Sequence, residues 1–416
     1  MRLPSKPKPQ KNTFVFLFFS YYLISLAFEG PLRYFLAAIG IETLLYARDI
    51  IAAITVIHYI ASRFSSDRDL LDAPLIFIYA LTAHTVLSLW MGTPIGSVFF
   101  SLKIFLSSLY AFTVARLLYH HAQEIKLLFL SIFSLSAAGV IINYFNGPFP
   151  WEGDIFDTAF GSVKTTKVWW AGGERRLPGF SRASFSAAMA IGITGAYIMG
   201  TAKHLSVRLL VFTIGLTTIY LTTSKGMIIA YGICGSWLIF TSDTNQSQRA
   251  GIKLLTALSI AVVLIPVISD LYDGNPADIR KAPPLLTSFW DRISESWPQT
   301  FAQLQKNYGY ILGKGLGGVG IAIRISEGNT NQFVPIDNIF WYIYSIFGIA
   351  SLIYWKHAIN RIWSLPKSNP TEARPFIALS IIMAGYGLTS VMFEDPFFSI
   401  TFGLLIGWPS ESKKAK

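Results

Sequence analysis

The chain reads as an all-α polytopic membrane protein, a bundle of about twelve transmembrane helices with two long extracytoplasmic loops. Three observations predict this. Of its 416 residues, 52% are hydrophobic and only 14% charged, and the mean hydropathy is +0.48. Apolar runs able to cross roughly 30 Å of hydrocarbon at about 1.5 Å per residue recur along its whole length. Basic residues outnumber acidic ones by 34 to 23 and gather in alternate connections, the pattern of a cytoplasmic face beside anionic lipid. The chain reads as one membrane domain over 1–416, with no internal repeat. A single cysteine, Cys234, excludes an intrachain disulfide or a cysteine metal site and reads as a small packing residue. No basic folded surface for nucleic acid is visible.

In order, the apolar runs fall near 13–29, 47–62, 72–93, 95–118, 125–144, 184–200, 206–222, 225–241, 251–269, 337–355, 375–391 and 396–409. The first follows a basic stretch but lacks a small-residue cleavage site, so it reads as a retained span. Residues 31–46, with Arg33 and Glu42, read as an interfacial or re-entrant helix or as part of a long tilted second span. With twelve crossings, Arg2, Lys6, Lys8, Lys11, Arg63, Arg68, Lys203, Arg208, Arg249, Lys253, the segment from Lys356 to Arg374 and the C-terminal lysines share one face. Both termini are then cytoplasmic.

The long segments 145–183 and 270–336 land on the opposite face. One carries Lys164, Lys167, Arg175, Arg176 and Arg182; the other carries Arg280, Lys281, Arg292, Lys306, Lys314 and Arg324. Long loops translocate largely regardless of charge. Their basic content therefore marks an outer face that handles an anion.

Five motifs follow one another. Arg176-Leu-Pro-Gly179-Phe-Ser-Arg182 opens an apolar helix, and Thr223-Ser224-Lys225-Gly226 opens another. Arg292 shortly precedes an aromatic or apolar anchor. Gly313, Gly315 and Gly317 alternate with other residues, and Asp337-Asn338 opens an aromatic helix. In order and spacing, over roughly 170 to 355, this resembles the O-antigen ligase and polymerase superfamily. The resemblance implies a GT-C-like glycosyltransferase of the bacterial inner membrane, working on its periplasmic side without metal or other cofactor. The implied substrate is an undecaprenyl-diphosphate-linked oligosaccharide, with membrane lipid around it and a chain-length regulator protein as a candidate partner. Similar proteins either polymerise O-antigen, capsule or exopolysaccharide repeat units or ligate finished glycan to the lipid A core. Ligases typically place a histidine before the asparagine of the last motif, where this chain has Asp337. The six histidines, His58, His84, His120, His121, His204 and His357, fall in spans or on the cytoplasmic side of this topology. The resemblance therefore favours a polymerase.

The residues support such chemistry on their own terms. Transfer from a lipid diphosphate needs charge stabilised on the leaving phosphate and a proton removed from the acceptor hydroxyl. Guanidinium suits the first task because it stays charged and matches phosphate oxygens bidentately. Arg176 and Arg292 are the leading candidates, followed by Arg182, Arg280 and Lys225. The alternative for each is a snorkelling or surface cation. Asp337 is the candidate for the second task, with Asn338 holding the acceptor by a hydrogen bond. The plainer alternative makes Asp337 a helix N-cap. Glu394-Asp395 reads as a turn or as an acceptor-binding pair. Gly315 and Gly317 would let a glycan or phosphate approach the backbone, or simply form a turn. Among Trp169, Trp170, Trp290, Trp297, Trp341 and Tyr342, one or two would stack on sugar and the rest anchor at the interface. A lipid-linked glycan transporter is the reading from another class. It calls for charged groups in the spans, in which this sequence reads as poor.

Overall fold

The computed structural model describes residues 12–65, 72–158, 161–171, 173–242, 244–271, 287–306, 308–323, 336–368 and 370–409. The architecture is that of an all-α helical membrane protein. The helices are α1 (Thr13–Ala27), α2 (Glu29–Ala38), α3 (Ala47–Phe64), α4 (Ala73–Trp90), α5 (Ile95–Leu118), α6 (Ala122–Asn146), α7 (Ser184–Thr201), α8 (Leu205–Leu221), α9 (Lys225–Phe240) and α10 (Asn245–Asp270). There follow α11 (Thr287–Asp291), α12 (Trp297–Leu304), α13 (Gly309–Leu312), α14 (Ile339–Phe347), α15 (Ser351–Ser368), α16 (Pro370–Gly387) and α17 (Pro396–Gly407).

Every one of the twelve apolar runs is helical, but helix and crossing are not the same thing. Among the described residues, six helical segments are long and apolar enough to cross a membrane, or seven if α1 and α2, bent 87° apart, count as one broken span. The stretch from Ile95 to Asn146 is one of the six, although Phe100 and Lys103 of α5 line a polar cavity and Asn143 of α6 accepts from Gly179, in the loop that carries Arg176 and Arg182 to the same cavity. The expected span 337–355 is interrupted at Gly348, where φ is +55° and a 3-10 turn joins α14 to α15. The all-α expectation also needs one amendment. Segment 145–183 folds in part as two ribbons, β1 (Ile155–Thr158) with β2 (Gly161–Lys164) and β3 (Trp170–Ala171) with β4 (Glu174–Arg175).

Small residues set the centre of the bundle. α7, whose best spanning window is 83% buried against 22% for α10, carries Ala187, Ala188, Gly192, Gly195, Ala196 and Gly200. A Cβ added at Gly195 would lie 2.6 Å from the Tyr231 hydroxyl, and one at Gly200 2.5 Å from Cα of Pro375. In lipid, such close approach supplies the packing that a hydrophobic drive cannot. The outer helices instead present Ile50, Ile54, Ile57 and Ile268 outward, as lipid-facing helices should. Cys234 is buried, as expected, and its thiol faces the Ala378 carbonyl.

A polar cavity gathering the charged residues

At one end of the bundle a cavity of about 730 Å³ opens, and residues from both long loops line it together. Arg176, Arg182, Lys225, Arg292, Asp337 and Glu394, expected from sequence to share a site, all reach its wall. They come from five separate segments, so tertiary packing assembles them.

Backbone bonds aim the first arginines. Gly179 takes φ +58° and sits against α6, where an added Cβ would lie 2.8 Å from the Val140 nitrogen. Its amide donates to Asn143 Oδ1 at 3.3 Å. The Phe180 carbonyl accepts the Gly30 amide at 3.0 Å, which pins α2 to this loop, and the Arg182 carbonyl accepts the Lys167 amide at 2.8 Å. Arg176 follows β4, its own amide donating to the Trp169 carbonyl. Its Nε is buried and meets no hydrogen-bond partner.

On the next wall, Thr223 occupies the left-handed region at φ +57° and immediately precedes Ser224 and Lys225. A β-branched residue there is strained, and such strain collects at functional sites. Ser224 Oγ donates to the Tyr386 hydroxyl at 3.3 Å.

Arg292 begins a π-helical turn, Arg292–Ser296, ahead of α12. Pro298 explains the widening: its ring would collide with the carbonyl four residues back, and it has no amide to donate. Arg292 Nε lies 3.1 Å from Asp337 Oδ2, while its Nη1 donates to the Ser288 carbonyl. Trp297, fully buried, donates its indole N–H to the Asp337 carbonyl at 3.4 Å.

The cap of α14 is not Asp337 but its neighbour. Asn338 is the cap of α14, its Oδ1 accepting from the amides of Phe340 and Trp341 at 3.0 and 3.1 Å. Its Nδ2 donates to the Val262 carbonyl at 2.9 Å, and the side chain is completely buried. Asn338 is therefore spent on structure, and the expectation that it holds an acceptor is corrected. Asp337 faces the cavity as the partner of Arg292. Burial pushes its carboxyl above the usual range, and the Arg292 guanidinium opposes that shift.

Gly315 and Gly317 are corrected likewise. With φ of +74° and +82° they dock against α4 and α5, outside the cavity wall. The Leu316 amide donates to Ser88 Oγ at 2.6 Å and the Gly317 amide to Ser101 Oγ at 2.8 Å. The close approach is to the protein's own helices. Arg280 lies outside the described residues. Glu394, in the turn before α17, accepts the Ile321 amide at 2.8 Å, and burial raises its carboxyl to about 7. Asp395 caps α17 through the Phe397 amide and accepts from Ser186 Oγ at 2.6 Å. Of the six aromatic candidates, Trp169 alone lines the cavity, stacked on Phe185. None of the six histidines is in its wall.

Sequence reasoning missed half the charge. Glu29, Arg33, Arg48, Asp49, Lys103 and Lys167 also line the cavity, which with Asp395 gives eight cations against five carboxylates. Arg48 and Lys103 sit on α3 and α5, so helices read as poor in ionisable groups bring charge into the site. The available signal was Arg33, in segment 31–46, four residues after Glu29 at the end of the first apolar run, a spacing that puts both on one face of a helix. Among the described residues no cluster of His, Cys, Asp and Glu could hold a metal. No protein-family model matches the chain, and no curated protein matches it.

Proposed function

We propose that the protein is a membrane glycosyltransferase that lengthens a polysaccharide by joining lipid-diphosphate-linked oligosaccharide units on the periplasmic face of the bacterial inner membrane. In this reading the chain crosses about twelve times with both termini cytoplasmic, and loops 145–183 and 270–336 cover the cavity from outside. The carrying observation is the Arg292–Asp337 pair at 3.1 Å in the wall of a cavity with surplus positive charge.

The chemistry divides between the two. The bond from the anomeric carbon to the phosphate oxygen breaks, both electrons leaving with the diphosphate, where Arg292 and Arg176 stabilise the charge. The acceptor hydroxyl oxygen bonds to that carbon, and its proton passes to the Asp337 carboxylate. A cap has no such freedom, and Asn338 carries that task. Lys225 holds the rest of the donor diphosphate, and Arg182 and Glu394 the acceptor. Aspartate where a ligase would present histidine, with no histidine in the cavity wall, favours lengthening over ligation to lipid A core.

The test is extension of an undecaprenyl-diphosphate oligosaccharide by the purified protein. Arg176→Ala and Arg292→Ala should each lower the rate by about 100-fold or more. Full-length polymer from either variant, shown to be present in the membrane, would overturn the reading. Loss of a polymerase leaves single repeats attached, whereas loss of a ligase leaves polymer on the lipid carrier.

A second reading rests on Arg48, Asp49 and Lys103, charged groups on apolar helices. Such groups mark substrate pathways in transporters, here for a lipid-linked anionic glycan. Proteoliposomes that move labelled lipid diphosphate across the bilayer without joining glycans would establish it.

A further inference from the structure

One part of the cavity is built differently from the Arg292–Asp337 wall. At the bend between α1 and α2, Glu29 receives Arg33 at 2.6 Å and Arg48 at 3.1 Å, with Arg182 at 3.9 Å. Three guanidiniums thus share one carboxylate; Asp49, which also acts on Arg48, is itself paired with Lys103 at 3.1 Å, so positive charge stays in surplus. Glu29, Arg33 and Arg48 are almost wholly buried. The Nε atoms of Arg48 and Arg182 are buried without a hydrogen-bond partner. Surplus charge withdrawn from solvent is unfavourable unless a partner arrives, and all four side chains line the cavity.

The cluster is also distinct from the first wall. The charges acting on Arg182 are Arg33, Glu29, Arg48 and Tyr46, whereas Arg292 is engaged with Asp337. Planar guanidiniums converging from three segments match the several oxygens of a phosphate ester better than a single carboxylate does.

We infer that Arg33, Arg48 and Arg182 form a second anion site, which binds the diphosphate of the acceptor lipid while Arg292 and Arg176 hold that of the donor. The assignment to the acceptor rests on the chain-lengthening reading, in which both substrates are lipid diphosphates. Glu29 orients the three arginines and is displaced from part of its charge pairing when the anion enters.

The test uses the full-length chain in phosphatidylcholine nanodiscs, titrated calorimetrically with inorganic pyrophosphate. Two sites per chain are expected. Arg33→Gln with Arg48→Gln should leave one site, and Arg292→Gln should remove the other. Because removing both arginines strands a buried carboxylate, Glu29→Gln is the second variant. It removes the competing anion and should tighten the second site about tenfold. A single site in the unaltered protein, or two sites untouched by the arginine changes with no response to Glu29→Gln, would overturn the inference.

An alkyl diphosphate should compete with pyrophosphate at both sites. Competition at the second site by phosphatidylglycerol instead would make it a headgroup site and sink the diphosphate assignment. Glycan extension with only one pyrophosphate site would defeat this inference alone. Two sites without any glycan transfer would defeat the chain-lengthening reading, and with it the acceptor assignment, while leaving the anion site standing.

Discussion

Asp337 and Asn338 stand side by side and do different work. Asn338 gives α14 two hydrogen bonds from its first amides and ties that helix to α10. Asn338→Ala should therefore destabilise the fold by about 2–3 kcal/mol, measured as thermal unfolding in detergent. Asp337→Asn should leave unfolding nearly unchanged but lower glycan extension by about 100-fold or more; a stability loss equal to that of Asn338→Ala would return Asp337 to a structural role. Glu394 predicts a pH dependence. Its carboxyl is raised by burial from 4.5 to about 7, so the folded protein binds this proton more tightly than the unfolded chain. That contribution is complete below about pH 4.5 and is lost as pH rises through about 7. Glu394→Gln should flatten the stability slope across this window, and identical slopes in the two proteins would refute the assignment.

At the scale of elements, the loop before α7 is held by contacts too tight for substitution. Gly179 needs its positive φ and has the Val140 nitrogen where a Cβ would go. Gly179→Ala should cost at least about 1 kcal/mol of stability and, by displacing Arg176 and Arg182, weaken pyrophosphate binding. Gly232→Ala in α9 is the control, since nothing lies within 4 Å of its added Cβ. It should be neutral or slightly stabilising; equal damage from both changes would show that the tight contact at Gly179 is irrelevant. The helices themselves were legible, because each apolar run is continuous enough to demand internal backbone hydrogen bonds. The interruption at Gly348 and the π turn ahead of Pro298 were not, because hydropathy averages over the single residues that cause them.

For the molecule as a whole, both long loops meet at one cavity, which makes sidedness testable. Cys234 is buried and supplies no background to a thiol reagent. In intact cells, Trp169→Cys at the cavity should react with an impermeant maleimide. Lys203→Cys, on an exposed turn between α7 and α8, should react only after permeabilisation. The reverse pattern would turn the protein over in the membrane and place the cavity in the cytoplasm.

The sequence by itself determined that this is a helical membrane protein and that Arg176, Arg182, Lys225, Arg292, Asp337 and Glu394 are unusual in it. Composition and period-long apolar runs are properties of the chain and need no partner to be read. Only the tertiary structure decided that those six share one cavity with Arg33, Arg48 and Lys103, and that Asn338 rather than Asp337 caps α14. The physical reason is the same in each case. A buried charge or amide acquires its role from the groups that satisfy it, and those groups come from distant segments brought together by close helix packing.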